Sequence, residues 1–174
     1  MPSAGHNEAF KMIISGYSPF STPQTVQKTY AGQRMAFGNQ PPAIPKDQLY
    51  VLVVEDDETE QILLRRRLIK DLQINQDKIH IFSNAPDAYR ATRGLDPANR
   101  LIVFLDETIK GKRRGSELAV WLNKHLQVPW ERMICISGEK EEKMKNAFKN
   151  KPVVYLGKDY TLENLIKVVN SLTA

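Results

Sequence analysis

Cysteine is almost absent from this chain, with Cys135 the single one in 174 residues. One thiol cannot close an internal disulfide or by itself build a structural zinc site, which excludes a disulfide-stapled scaffold and fits a reducing compartment. Long hydrophobic runs are missing too. No stretch approaches the roughly 18 consecutive apolar residues of a membrane-spanning helix, and the mean hydropathy is −0.43. The apolar cluster Met12-Ile13-Ile14 is far shorter than the core of a secretory signal. A cytoplasmic protein is the expectation. Histidine is scarce: His6, His80 and His125 lie far apart with no metal-ligand spacing, so neither zinc nor histidine catalysis is indicated. A strong charge imbalance is also lacking. Of the net +5, residues 1–46 supply +3 (Lys11, Lys28, Arg34 and Lys46 against Glu8), leaving the remainder nearly balanced and giving no charge argument for nucleic-acid binding.

What is present divides into two textures. Residues 1–46 are rich in Ser, Pro, Gly, Gln and Thr, with no sustained helical or alternating period, and read as an irregular N-terminal extension. Phe10, Ile13, Ile14, Tyr17, Phe20, Tyr30, Met35 and Phe37 give it an apolar content above that of a purely solvating tail. Either a flexible leader or a docking segment accounts for it. Residues 47–174 read as one domain. Short apolar runs at 50–54, 79–82, 101–105, 133–136 and 153–156 have the continuous pattern of strands covered on both faces. Between them lie helical patterns at about 58–72, 85–93, 115–126 and 139–149, and a last one where Leu162, Leu165, Ile166 and Val169 share a face. Five strand–helix units in alternation specify an α/β fold with an open, doubly wound parallel sheet. The site of such a sheet lies at the carboxyl ends of its strands.

Those ends carry charge. Glu55-Asp56-Asp57 follows the first strand and Asp106-Glu107 the third, so several carboxylates open onto one crevice. Crowded carboxylates repel, and a hard divalent cation with oxygen ligands, magnesium above all, relieves them. Ser137 ends the fourth strand and Lys158 follows the fifth, adding a hydroxyl and a mobile ammonium. A carboxylate nucleophile, a metal, a hydroxyl and a lysine together suit phosphoryl transfer, in which positioning and charge neutralisation dominate.

These residues resemble the receiver domain of two-component response regulators. VLVVEDDE resembles the opening strand and acidic pair of that family, LIVFLDE its phosphoacceptor strand, ICISG its hydroxyl position, and YLGKD its lysine with an aromatic three residues earlier. The resemblance covers nearly all of residues 49–172. It implies a flavodoxin-like sheet of order 2-1-3-4-5, with Asp106 the phosphoacceptor and Mg²⁺ held by Glu55, Asp56, Asp106 and the Thr108 backbone carbonyl. It further implies that Ser137 and Lys158 contact the phosphoryl group and that Tyr155 is the switch aromatic. The donor would be a histidine kinase or histidine phosphotransfer protein, and the downstream target a protein docking on the face of helix 4, strand 5 and helix 5. Lys140, Lys143, Lys145, Lys149 and Lys151 would give that face a basic character. Such a protein is not an enzyme in the usual sense, because it catalyses only its own phosphorylation and dephosphorylation. With the chain stopping at Ala174, a stand-alone phosphorelay protein without a DNA-binding domain or membrane anchor is expected, and a homodimer is left open.

Two departures stand out. Gly115 lies nine residues after Asp106, where the family has a glycine at eight, and the intervening loop lacks proline and carries Lys110, Lys112, Arg113 and Arg114. Asp159 follows Lys158 in place of a cis-proline. A non-proline cis bond costs about 2.5–4 kcal/mol, so a trans peptide is expected, and the Asp159 carboxylate is placed to draw the lysine away. These departures keep a phosphorylation-independent receiver-like adaptor as the alternative. A phosphohydrolase of the haloacid dehalogenase type would need a second acid where this chain has Thr108. Simpler roles exist for single residues: Asp57 or Glu58 as a helix cap, Ser137 as another, Tyr155 and the tryptophans as packing, Cys135 as an inert core thiol.

Overall fold

The computed structural model describes residues 26–30, 33–37, 42–93, 100–109 and 114–173, the first two segments by backbone alone. The chain divides into two compact units, Met1–Asn39 and Gln40–Ala174. In the first, β1 (Val26–Tyr30) pairs antiparallel with β2 (Gln33–Phe37), Val26 opposite Phe37 and Tyr30 opposite Gln33. The N-terminal extension thus includes a short hairpin. Both strands draw on β-branched, aromatic and long side chains around an Ala-Gly pair, a hairpin composition whose period is too short to stand out from the polar sequence around it.

In the second unit β3 (Tyr50–Val54), β4 (Ile79–Phe82), β5 (Leu101–Leu105), β6 (Met133–Ser137) and β7 (Val154–Gly157) form an all-parallel sheet of order β4-β3-β5-β6-β7. Within the domain this is the 2-1-3-4-5 order of the flavodoxin-like class. The strands are connected by α1 (Glu58–Lys70), α2 (Ala85–Thr92), α3 (Gly115–Leu126) and α4 (Glu141–Ala147), and α5 (Leu162–Leu172) follows the last.

Alternation along each strand splits the core in two. Val51, Val53, Ile102, Phe104, Ile134 and Ile136 face one way and pack with Leu64 and Leu68 of α1 and Leu165 and Val169 of α5. Leu52, Val54, Val103, Leu105, Met133 and Cys135 face the other and pack with Ala85 and Ala88 of α2, Leu118 and Leu122 of α3 and Met144 of α4. Local chemistry starts most helices. Asp57 accepts from the amides of Thr59 and Glu60 at 2.8 and 3.1 Å, Asn84 from that of Asp87 at 2.9 Å, and Thr161 from that of Asn164 at 3.2 Å. The sequence places its helices within a few residues of these bounds, with α4 shorter than the 139–149 pattern because Phe148 closes it and Lys149 and Asn150 turn left-handed, at φ 52° and 56°.

The tail of the supposed extension belongs to the domain. Ile44 is 1% exposed, pairs in parallel with Thr173, and donates its amide to the Leu172 carbonyl at 3.1 Å. Arg132, itself buried, donates to the Pro42 carbonyl at 2.7 Å. One buried isoleucine flanked by prolines carries no periodicity, so the sequence could not assign it to the core. Ile44→Ala is expected to cost about 2–5 kcal/mol of domain stability, the range for truncating a buried aliphatic side chain, read from the midpoint of urea unfolding.

Candidate functional site

Register brings the site together. β3 and β5 are adjacent and in parallel, with Val54 opposite Leu105, so the next residues, Glu55 and Asp106, emerge side by side. The ladder runs one step past each strand: the Glu55 amide donates to the Phe82 carbonyl at 3.1 Å and the Asp106 amide to the Val54 carbonyl at 2.9 Å. Both carboxylates are about 5% exposed. Asp56 joins them, and one oxygen from each of Glu55, Asp56 and Asp106 lies within 4.8 Å of the others.

Lys158 balances this charge. Its ammonium is 2.9 Å from Asp106 Oδ2 and 3.2 Å from Glu55 Oε2. Burial alone would lower its pKa, but the hydrogen bonds and charges of Asp106 and Glu55 outweigh burial and hold it above the ordinary value. Glu55 is raised, chiefly by burial and further by the Asp106 charge, against the opposing pull of the Asp57 amide and Lys158. The Lys158 amide donates to the Ser137 carbonyl at 3.1 Å, which sets the lysine-bearing turn against the end of β6. Asp159 does not keep the ammonium from the site: its carboxylate folds back toward Gly157 while Lys158 reaches inward. The peptide bonds of the described residues are all trans, Lys158–Asp159 included.

Other predicted residues fall at the same edge. Ser137 is buried, and its hydroxyl accepts from the Glu139 amide at 3.2 Å, so it serves as a local turn cap in this state. The Thr108 amide donates to Asp106 Oδ1 at 3.0 Å and so orients the carboxylate. Tyr155 pairs with Cys135 across the sheet and sets its ring edge-on to Phe148 at 6.0 Å. Its hydroxyl is buried without a hydrogen-bond partner, and burial first, with nearby anionic groups second, pushes the phenol up to about 12. Cys135 is a buried core thiol, raised by burial above its ordinary pKa, as a packing role requires.

Glu107 is the exception. The sequence groups it with Asp106 at the acidic edge, but its carboxylate turns away and accepts from the Ser116 amide at 2.7 Å and the Ser116 hydroxyl at 2.9 Å, at the start of α3. Sequence reasoning also missed Gln61, whose side-chain amide donates to the Glu55 carbonyl from the first turns of α1. A glutamine one turn after a capping aspartate was the available signal. The basic α4 region is partly neutralised, because Lys143 pairs with Glu139 and Lys145 with Glu141, each one turn apart.

No family model and no curated protein matches the chain. Solved structures do. The signal receiver domain of a modulated diguanylate cyclase from Desulfovibrio desulfuricans G20 is 25% identical, with a TM-score of 0.55 over 70% of this chain and 90% of its own. The receiver domain of a sensor histidine kinase from Pseudomonas aeruginosa PAO1, which has a magnesium ion coordinated in its active-site cleft, is 14% identical with a TM-score of 0.58 over 71% and 96%. A phosphorylated cyanobacterial phytochrome response regulator is 17% identical with a TM-score of 0.54 over 71% and 89%. The domain therefore has the fold of a response regulator receiver domain, and its acidic cluster is one that could bind a metal ion. Among the described residues no helix is long and apolar enough to cross a membrane.

A pH dependence follows from Glu55. A carboxyl raised on folding contributes stability while protonated and loses it as pH rises through the raised value. In chelator, Glu55→Gln is accordingly expected to gain stability relative to wild type as pH climbs from the ordinary 4.5 through that value. Melting temperatures across the acid range check it, and a constant difference would contradict the assignment.

Proposed function

We propose that the domain is a response regulator receiver that accepts a phosphoryl group on Asp106 from a histidine kinase or histidine phosphotransfer protein and signals through protein contacts. The observation that carries this reading is the position of Asp106: buried at the end of a central strand, one oxygen held by the Thr108 amide and the other by the Lys158 ammonium, beside two further carboxylates. The three carboxylates are hard oxygen donors of the kind magnesium prefers, and the Thr108 carbonyl would complete their set. When bound, the ion would neutralise charge on the transferring phosphoryl group.

The chain's own residues supply the rest. An Asp106 carboxylate oxygen forms a bond to phosphorus while the bond from phosphorus to the donor imidazole nitrogen breaks, and the imidazole leaves with the electron pair and takes up a proton. Lys158, already on Asp106, meets the new negative charge without reorganising far, which is where preorganised cations contribute most. Ser137 would exchange its bond from Glu139 for one to the phosphoryl oxygen. The unpartnered Tyr155 hydroxyl is a group free to move with it, and a shift of its ring from Phe148 would alter the surface of α4, β7 and α5. Phosphorylation would then bias two packings of the same elements, by no more than its differential interaction with them. Hydrolysis by water returns the aspartate. The protein would act as a cytoplasmic phosphoprotein in a phosphorelay, the folded domain being taken to start near residue 42.

Intact mass after incubation with acetyl phosphate and Mg²⁺ tests this. One phosphoryl adduct is expected on wild type, none on Asp106→Asn and none in chelator, and uptake is expected to slow about a hundredfold in Lys158→Met, the cost of losing one charge-stabilising group. Absence of an adduct on wild type, with no Mg²⁺ binding, would replace this reading with the phosphorylation-independent adaptor.

A further inference from the structure

The first turn of α3 lacks a cap of its own. Arg114, at the capping position, makes no side-chain hydrogen bond to it, yet helix starts leave backbone amides that need acceptors. Glu107 fills the gap from eight residues upstream. Its carboxylate, 6% exposed, takes both the Ser116 amide and hydroxyl, and its backbone carbonyl accepts the Gly115 amide at 3.2 Å. Gly115 adds a steric constraint, since a Cβ there would overlap the Asp106 carbonyl oxygen. The residue pair at the end of β5 is thus strapped to the start of α3 by three hydrogen bonds and one close approach. The peptide whose carbonyl, that of Glu107, takes the Gly115 amide is the same one whose N–H, that of Thr108, donates to Asp106 Oδ1.

We propose that Glu107 is a positioning residue for the phosphoacceptor: by binding the first turn of α3 it fixes the 107–108 peptide so that the Thr108 amide aims at the Asp106 carboxylate. A buried carboxylate in this place is otherwise costly, since ionised groups are expensive to take out of water. Its two charge-assisted bonds offset that cost, and the geometric gain falls on the adjacent reactive group. The inference rests on the reading of Asp106 as phosphoacceptor.

The test compares Glu107→Leu, Glu107→Gln and Ser116→Ala in the full chain, with two measurements: amide exchange at Thr108 by nuclear magnetic resonance without phosphodonor, and the rate of phosphoryl uptake from acetyl phosphate with Mg²⁺. Glu107→Leu is expected to speed Thr108 exchange about tenfold, as for one lost hydrogen bond, and to slow uptake about tenfold through misplacement of the nucleophile. Glu107→Gln, which can accept from the Ser116 amide and donate to its hydroxyl, is expected to restore both. Ser116→Ala, which keeps the helix and removes one donor, should fall between and decides the matter if Glu107→Leu does not fold. A purely structural Glu107 would lower the melting temperature while leaving Thr108 exchange and uptake at wild-type values, and that result overturns the proposal. A wild type that takes up no phosphoryl group overturns the phosphoacceptor reading itself and this inference with it, so the two failures are told apart by the control.

Discussion

The parallel pairing of β3 with β5 is the constraint on which the site depends. Because the two strands run in the same direction with Val54 opposite Leu105, their next residues must emerge at one level, and both are acids. Two carboxylates about 5% exposed at one sheet edge repel in a medium less polar than water. The architecture resolves this by bringing Lys158 from the end of β7, across the whole width from β3, to within 3.2 Å of both. A sheet order that parted β3 from β5 would separate the acids from each other.

The region around that cluster is built in tiers. Asp106 is held by the Thr108 amide and Lys158, Glu55 by the Asp57 amide and Lys158. Behind these stand Gln61 on the Glu55 carbonyl, Ser137 on the Lys158 amide and Glu107 on the start of α3. Each of these groups sits on a strand end or a helix start, where the rigid sheet sets its position, and the Tyr155 and Tyr160 hydroxyls are buried without a hydrogen-bond partner.

Much of this was legible in the chain. Continuous apolar runs marked five buried strands, the alternation with helical periods implied the parallel sheet, and the acids and lysine after the strands marked the crevice. Asp57 was readable as a cap and Cys135 as core. What escaped reading had no local signature. Ile44 is one apolar residue between prolines, yet a parallel bridge to Thr173 makes it core. The β1–β2 hairpin is too short for its alternation to show. That Glu107 turns to α3 had no mark in the sequence, because side-chain direction beyond a strand's last residue follows neither a period of two nor one of 3.6.

By itself, then, the order of residues determined which segments are strands, which helices follow them and which charged groups stand at their ends, since these depend on burial periods and on chemistry a few residues apart. Tertiary structure alone decided the partners: that Lys158 reaches Asp106 and Glu55 despite Asp159, that Glu107 turns from the site to α3, and that the tail of the extension joins the domain. Those outcomes are set by contacts between groups far apart in the chain, whose energies depend on distance and desolvation in the folded molecule and leave no imprint on local sequence.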